Sequence, residues 1–94
     1  MDNSTLYARS GHVVATEIGG EIVLLNTESW VCLEFDPAGS AIWGLLEQPV
    51  TLPQLVDKLT ELYVCEPGRC RDDTKAFLDE MIGQGAVTAT PGLA

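Results

Sequence analysis

The sequence predicts an α+β fold: an N-terminal three-stranded antiparallel sheet followed by three helices, in a winged helix-turn-helix-like arrangement. Three observations carry this. From His12 to Phe35 the chain is rich in β-branched residues and is interrupted by Gly19-Gly20, a two-residue hairpin signal. After Asp36-Pro37 the apolar residues recur with helical period. With 94 residues, 46% of them hydrophobic, the chain suits one domain with one modest core.

Residues 1–11 read as a flexible arm, anchored at Leu6 and Tyr7, ahead of a single domain over 12–89. His12–Ile18 is the first strand and Glu21–Asn26 the return strand, because both glycines of the turn tolerate positive φ. Asn26-Thr27-Glu28-Ser29 is polar and suits a second turn. Trp30–Phe35 is the third strand; alternation puts Val31, Leu33 and Phe35 on one face and Trp30, Cys32 and Glu34 on the other.

Asp36-Pro37 starts the first helix, since Asp accepts from free N–H groups and Pro fits the first helical position. Ala38, Ala41, Ile42, Leu45 and Leu46 share its inner face, and Gln48-Pro49 stops it. Thr51-x-x-Gln54 is a capping box for a second helix, with Leu52, Leu55, Val56, Leu59, Leu62 and Tyr63 inward. Glu66-Pro67-Gly68 breaks that helix. A third helix spans about Arg71 to Gln84, striped by Thr74, Phe77, Leu78, Met81 and Ile82, with Gly85 at the left-handed C-terminal position. Ala86–Ala89 suits a short extended segment, and residues 90–94 a frayed tail.

Charge narrows the partners. Five Lys and Arg stand against 14 Asp and Glu, a net charge of −9. Between Arg9 and Lys58 there is no basic residue but seven acids, from Glu17 to Asp57. Nucleic-acid backbones and anionic membranes bind through Lys and Arg, so both are disfavoured, and a cationic or neutral partner is favoured. No basic-then-apolar segment opens the sequence and no apolar run approaches a membrane span, so a cytoplasmic location is expected. Three cysteines fit a reducing compartment.

No constellation points to bond chemistry. His12 is the only histidine, and no local signature pairs it with Cys32, Cys65 or Cys70. Cys65 and Cys70 form one C-x4-C pair, half of a zinc site; they read as free thiols flanking a turn, although a disulfide is sterically possible. Ser40 lacks the preceding aspartate of a phosphopantetheine carrier. Asp72-Asp73 and Asp79-Glu80 are adjacent on a helix and do not face each other as an acid–base dyad would. No cofactor, no metal and no catalytic residue is implied.

What remains is an edge. The strand Trp30–Phe35 carries neither Lys nor Pro, two devices that blunt sheet edges. Such an edge either accepts an extended peptide as a further strand or is covered by a helix or the terminal arm.

Several motifs then resemble the PqqD-like family, the RiPP recognition elements. These are Glu21-Ile-Val-Leu-Leu-Asn26, the strand Trp30–Phe35, Asp36-Pro-Ala-Gly-Ser-Ala-Ile-Trp43, Thr51-Leu-Pro-Gln-Leu-Val56 with Leu59 and Tyr63, and Gly85-Ala86-Val87. The resemblance covers about residues 12–89 and is greatest to the discrete leader-peptide-binding proteins of lasso-peptide biosynthesis. It implies a non-catalytic adaptor that binds a precursor leader peptide by antiparallel addition to the third strand. The adaptor would present the precursor to a separate leader-cleaving cysteine protease and onward to a cyclase. The residues so implied are Trp30, Val31, Cys32, Leu33 and Glu34 on the strand, and Asp73, Ala76, Phe77 and Glu80 on the third helix. Val31, Leu33 and Phe77 serve equally as core, and Trp43 as packing for the first helix. Small Ala76 leaves room for a leader side chain, and Asp73 and Glu80 suit leader Lys or Arg. Relatives often carry an aromatic residue where this chain has Cys32. The rival is a winged-helix regulator binding DNA or a protein partner, whose recognition helix would turn Asp72, Asp73, Asp79 and Glu80 toward phosphates with only Arg69, Arg71 and Lys75 to compensate.

Overall fold

A computed structural model describes residues 4–64 and 66–91. The order is β1 (Leu6–Arg9), β2 (Val13–Ile18), β3 (Glu21–Asn26), β4 (Cys32–Glu34), α1 (Pro37–Leu45), β5 (Val50–Thr51), α2 (Leu52–Leu62), α3 (Pro67–Gly83) and β6 (Val87–Thr90). The fold is α+β, with the expected antiparallel meander β2-β3-β4 and three helices. Gly19 and Gly20 both take positive φ, and Ile18 pairs with Glu21 across them.

A second sheet, ordered β5-β1-β6, was not expected. The segment read as a flexible arm supplies its central strand, so the packed domain begins at Leu6 rather than His12. Tyr7 is buried, and β1 pairs along its whole length with β6. Arg9 fixes this sheet to the helices: its guanidinium lies 4.6 Å from the Trp43 ring centroid and donates to the Trp43 carbonyl at 2.6 Å. The extended segment expected at 86–89 is β6, which also includes Thr90; the rest of the tail, 92–94, and Cys65 lie outside the described residues.

The helices keep the predicted caps with shifted ends. Asp36 Oδ1 accepts from Gly39 N at 2.7 Å, and Thr51 and Gln54 exchange both capping-box bonds. The third helix begins at Pro67, not Arg71, since proline is tolerated in a first turn; this brings Cys70 inward. Of the predicted inner faces, Ala38, Leu62, Tyr63 and Ile82 are exposed, because each sits at a helix end or margin beyond its neighbour's reach. Gly85 takes φ +75° as expected.

The core joins Leu24 of the sheet to Ile42, Trp43 and Leu46, Leu55 and Leu59, Leu78 and Met81. Gly39 matters to its geometry. A Cβ there would lie 3.0 Å from Phe77 Cε1 and 3.3 Å from Phe35 Cβ, so a larger residue would make this pair shift by a few tenths of an ångström. Phe35 in turn meets Trp43 at 5.9 Å and Phe77 at 5.2 Å between centroids.

Candidate functional site

The site is built on β4, the outer strand of its sheet. The third strand is shorter than predicted: Trp30 and Val31 stand before it in the turn. Trp30 has φ +61° and its N–H donates to the Asn26 carbonyl at 2.8 Å, a turn geometry that ends the ladder. Asn26 organises this turn. Its Oδ1 accepts from Glu28 N and Ser29 N, and its Nδ2 donates at 3.0 Å to the carbonyl of Gln84, the residue that caps the C-terminus of α3.

The hydrogen-bond pattern decides which backbone groups face outward. Asn26 N donates to Val31 O, and Phe35 N to Ile22 O. Antiparallel ladders alternate bonded and non-bonded pairs, so Leu24 and Leu33 form the bonded pair between them. Cys32 and Glu34 are the non-bonded partners of Leu25 and Val23. Their N–H and C=O groups therefore point to the open edge, away from β3. Their side chains are exposed, while Leu33 is half-buried against the core.

α3 forms the wall beside this edge. Phe77 packs on Phe35 at one end of β4, and Gln84 binds Asn26 at the other. Seven helical residues rise roughly 10 Å, close to the roughly 13 Å of strand from Val31 to Phe35. The helix thus touches the segment around β4 at two points, Phe35 after the strand and Asn26 of β3 beside the turn before it. β2 is also an outer strand, but it has no such wall: only Val13 of its six residues is even half-buried.

Of the predicted helix residues, Phe77 is half-buried beside β4, and Ala76 and Glu80 are exposed on α3. Asp73 lies one turn earlier and lines a different space, a groove of about 920 Å³ bounded by Pro37, Ala38 and Ala41 of α1, Tyr63 and Val64 after α2, and Cys70. Gly39, which follows groove residue Ala38 on α1, lies against Phe77. The groove was missed in the sequence. Its signal was the apolar run Leu62-Tyr63-Val64, which overruns the inner stripe of α2 and is exposed.

The acids on α3 differ in availability. Asp79 is held by Lys75 at 2.7 Å, and that hydrogen bond raises the Lys75 pKa above its ordinary value. Asp73 is 3.8 Å from Arg69, with both side chains solvated, so the pair is weak. Among the described residues Glu80 has no cationic partner. His12 faces Glu28 at 3.6 Å, both exposed. Cys70 is a buried free thiol beside Thr74, and Cys32 an exposed one. No group of three metal-ligating side chains occurs among the described residues, and none of the described helices is long and apolar enough to cross a membrane.

Comparison with known proteins is consistent with this geometry. No curated protein matches the chain. Two solved structures share the fold. TbiB1 in complex with the TbiA(beta) leader peptide has TM-score 0.78 and 27% identity, over 85% of this chain and 93% of that one. A lasso peptide synthetase B1 complexed with the leader peptide has TM-score 0.76 over 87% and 96%; at 15% identity it speaks for the fold alone. The family described as coenzyme PQQ synthesis protein D matches residues 21–87, from the start of β3 to the first residue of β6. By that match, through the sheet, the cleft and all three helices, the chain belongs to the PqqD family, as a PqqD-like RiPP recognition element.

Proposed function

We propose that this protein is a leader-peptide-binding adaptor of lasso-peptide biosynthesis, receiving a ribosomal precursor as an antiparallel strand on β4. One observation carries the reading: Cys32 and Glu34 turn unpaired backbone groups to an open edge, which α3 flanks at Phe35 and at the Asn26 turn. An antiparallel peptide opposite these two residues makes up to four main-chain bonds. The likeness to TbiB1, whose structure holds a leader peptide, supports the choice of ligand.

Trp30, Val31, Cys32, Leu33 and Glu34 form the receiving side, and Ala76, Phe77 and Glu80 the facing wall. In the antiparallel direction, leader residues preceding the added strand run past Phe35 toward Asp73 and the groove. Asp73 and Glu80 attract leader Lys or Arg, which agrees with the acid excess. The adaptor performs no bond chemistry and presents the precursor to a separate cysteine protease, and onward to a cyclase. Fluorescence anisotropy with a labelled leader tests the reading. Saturable binding at or below about 10 μM, some 7 kcal/mol, is expected; a flat titration into the hundreds of micromolar would refute it.

A further inference from the structure

The meander β2-β3-β4 has two faces, and among the described residues only one packs on the core. Val13, Ile22, Leu24 and Leu33 turn toward the helices. The alternate residues turn the other way. Strand register aligns Val14, Leu25 and Cys32 in one row and Thr16, Val23 and Glu34 in the next, with Ile18 beside Glu21 beyond. Val14 is 58% and Ile18 63% exposed, and neither Val23 nor Leu25 packs on the core. A solvent-facing sheet face ordinarily alternates apolar-in and polar-out. Here the outward positions are mostly apolar as well.

We infer that this outer face is a docking surface for a partner protein whose contact area is apolar at its centre and carries Lys or Arg at its margin. The inference rests on the proposed function, where that partner is the leader-cleaving protease. Charge selects the occupant. The apolar rows are bordered by Glu21 and Glu34 at one end and Glu28 at the other, and no Lys or Arg occurs from residue 10 to residue 57. A second copy would bring the same acids against one another, and an anionic membrane would be repelled. A basic margin is complementary. The face is also continuous with the leader's edge, since Cys32 and Glu34 turn their side chains to it and their backbone to the leader. A partner seated here would lie beside the bound leader without displacing a helix.

The test uses Val14→Glu, Ile18→Thr and Glu21→Lys, all exposed, the first two on β2 with β3 between them and β4 and the third paired with Ile18. Ile18→Thr retains β-branching and Glu21→Lys alters only charge, so the test survives if Val14→Glu folds poorly. Each variant is assayed for leader affinity by anisotropy and for leader cleavage with the purified protease at sub-saturating adaptor. Leader Kd is expected to stay within about twofold. Cleavage should fall at least about tenfold for Val14→Glu and should recover as adaptor concentration rises, since the loss is one of docking affinity. Unchanged cleavage in all three variants with leader binding intact would overturn this inference alone. Absence of leader binding by the unaltered chain would overturn it together with the proposed function. A dimer in sedimentation that Val14→Glu dissolves would assign the face to a second copy and overturn it too.

Discussion

Replacing Cys32 by proline separates receptor from scaffold more cleanly than any other single change on β4. The Cys32 N–H points to the open edge, so its loss removes no bond to β3. The side chain is exposed, so no packing is lost either. Stability should therefore change by under about 1 kcal/mol. For the leader, one of the main-chain donors disappears and the ring occupies the approach. A net loss of about 1–1.5 kcal/mol for one hydrogen bond corresponds to a Kd raised roughly 5–12-fold. The neighbour is the control. Leu33 lies in the bonded pair with Leu24 and packs on the core, so Leu33→Pro should cost about 3–5 kcal/mol in stability. Anisotropy gives the affinities and urea unfolding the stabilities. A folded Cys32→Pro protein that binds leader with unchanged affinity would refute strand addition at this edge.

Other changes probe the parts around it. Asn26→Ala removes three side-chain bonds from a buried site and should destabilise by about 2–4 kcal/mol, measured by urea titration. Trp30→Gly relieves a left-handed backbone at a residue 72% exposed, so stability should hold or rise by up to about 1 kcal/mol, while leader affinity falls. Gly39→Ala should push Phe77 aside and lower both melting temperature and leader affinity. Glu80→Lys should weaken a basic leader severalfold, an effect that shrinks as salt is raised from 50 to 500 mM and the Debye length falls from about 14 Å to about 4 Å.

Most of this architecture was legible because local signals agree. The Asp36-Pro37 start, the Thr51–Gln54 box, the Gly19-Gly20 hairpin and Gly85 each act within a few residues, and each appears as read. The motif Asp36-Pro-Ala-Gly has a plain physical content: a cap, a first-turn proline and a close approach to Phe77. β1 was not legible because its evidence is non-local. Four residues, Leu6–Arg9, become a strand only through Val87–Thr90 at the far end of the chain. Trp30 and Val31 misread for a different reason. Their composition suits a strand, but the Asn26 turn holds Trp30 in a left-handed conformation and leaves Val31 joined to β3 only through its carbonyl, which accepts from Asn26 N. For the candidate site, the alternation of Cys32 and Glu34 against Leu33 was readable from period two. Which of them offers its backbone outward was not, since that depends on the β3 register. Asp73 was assigned to the helix flank by the family resemblance and its i, i+3, i+4, i+7 spacing; the groove it also lines is made by α1 and α2, which spacing on α3 does not reveal.

Amide hydrogen exchange followed by NMR, with and without a saturating leader peptide, tests the central claim most directly. The Cys32 and Glu34 amides, which have no partner in the sheet, should exchange quickly alone and become strongly protected with leader, while Leu33 is protected in both states. Protection appearing instead at the outward-facing amides of β2, or nowhere on β4, would contradict it.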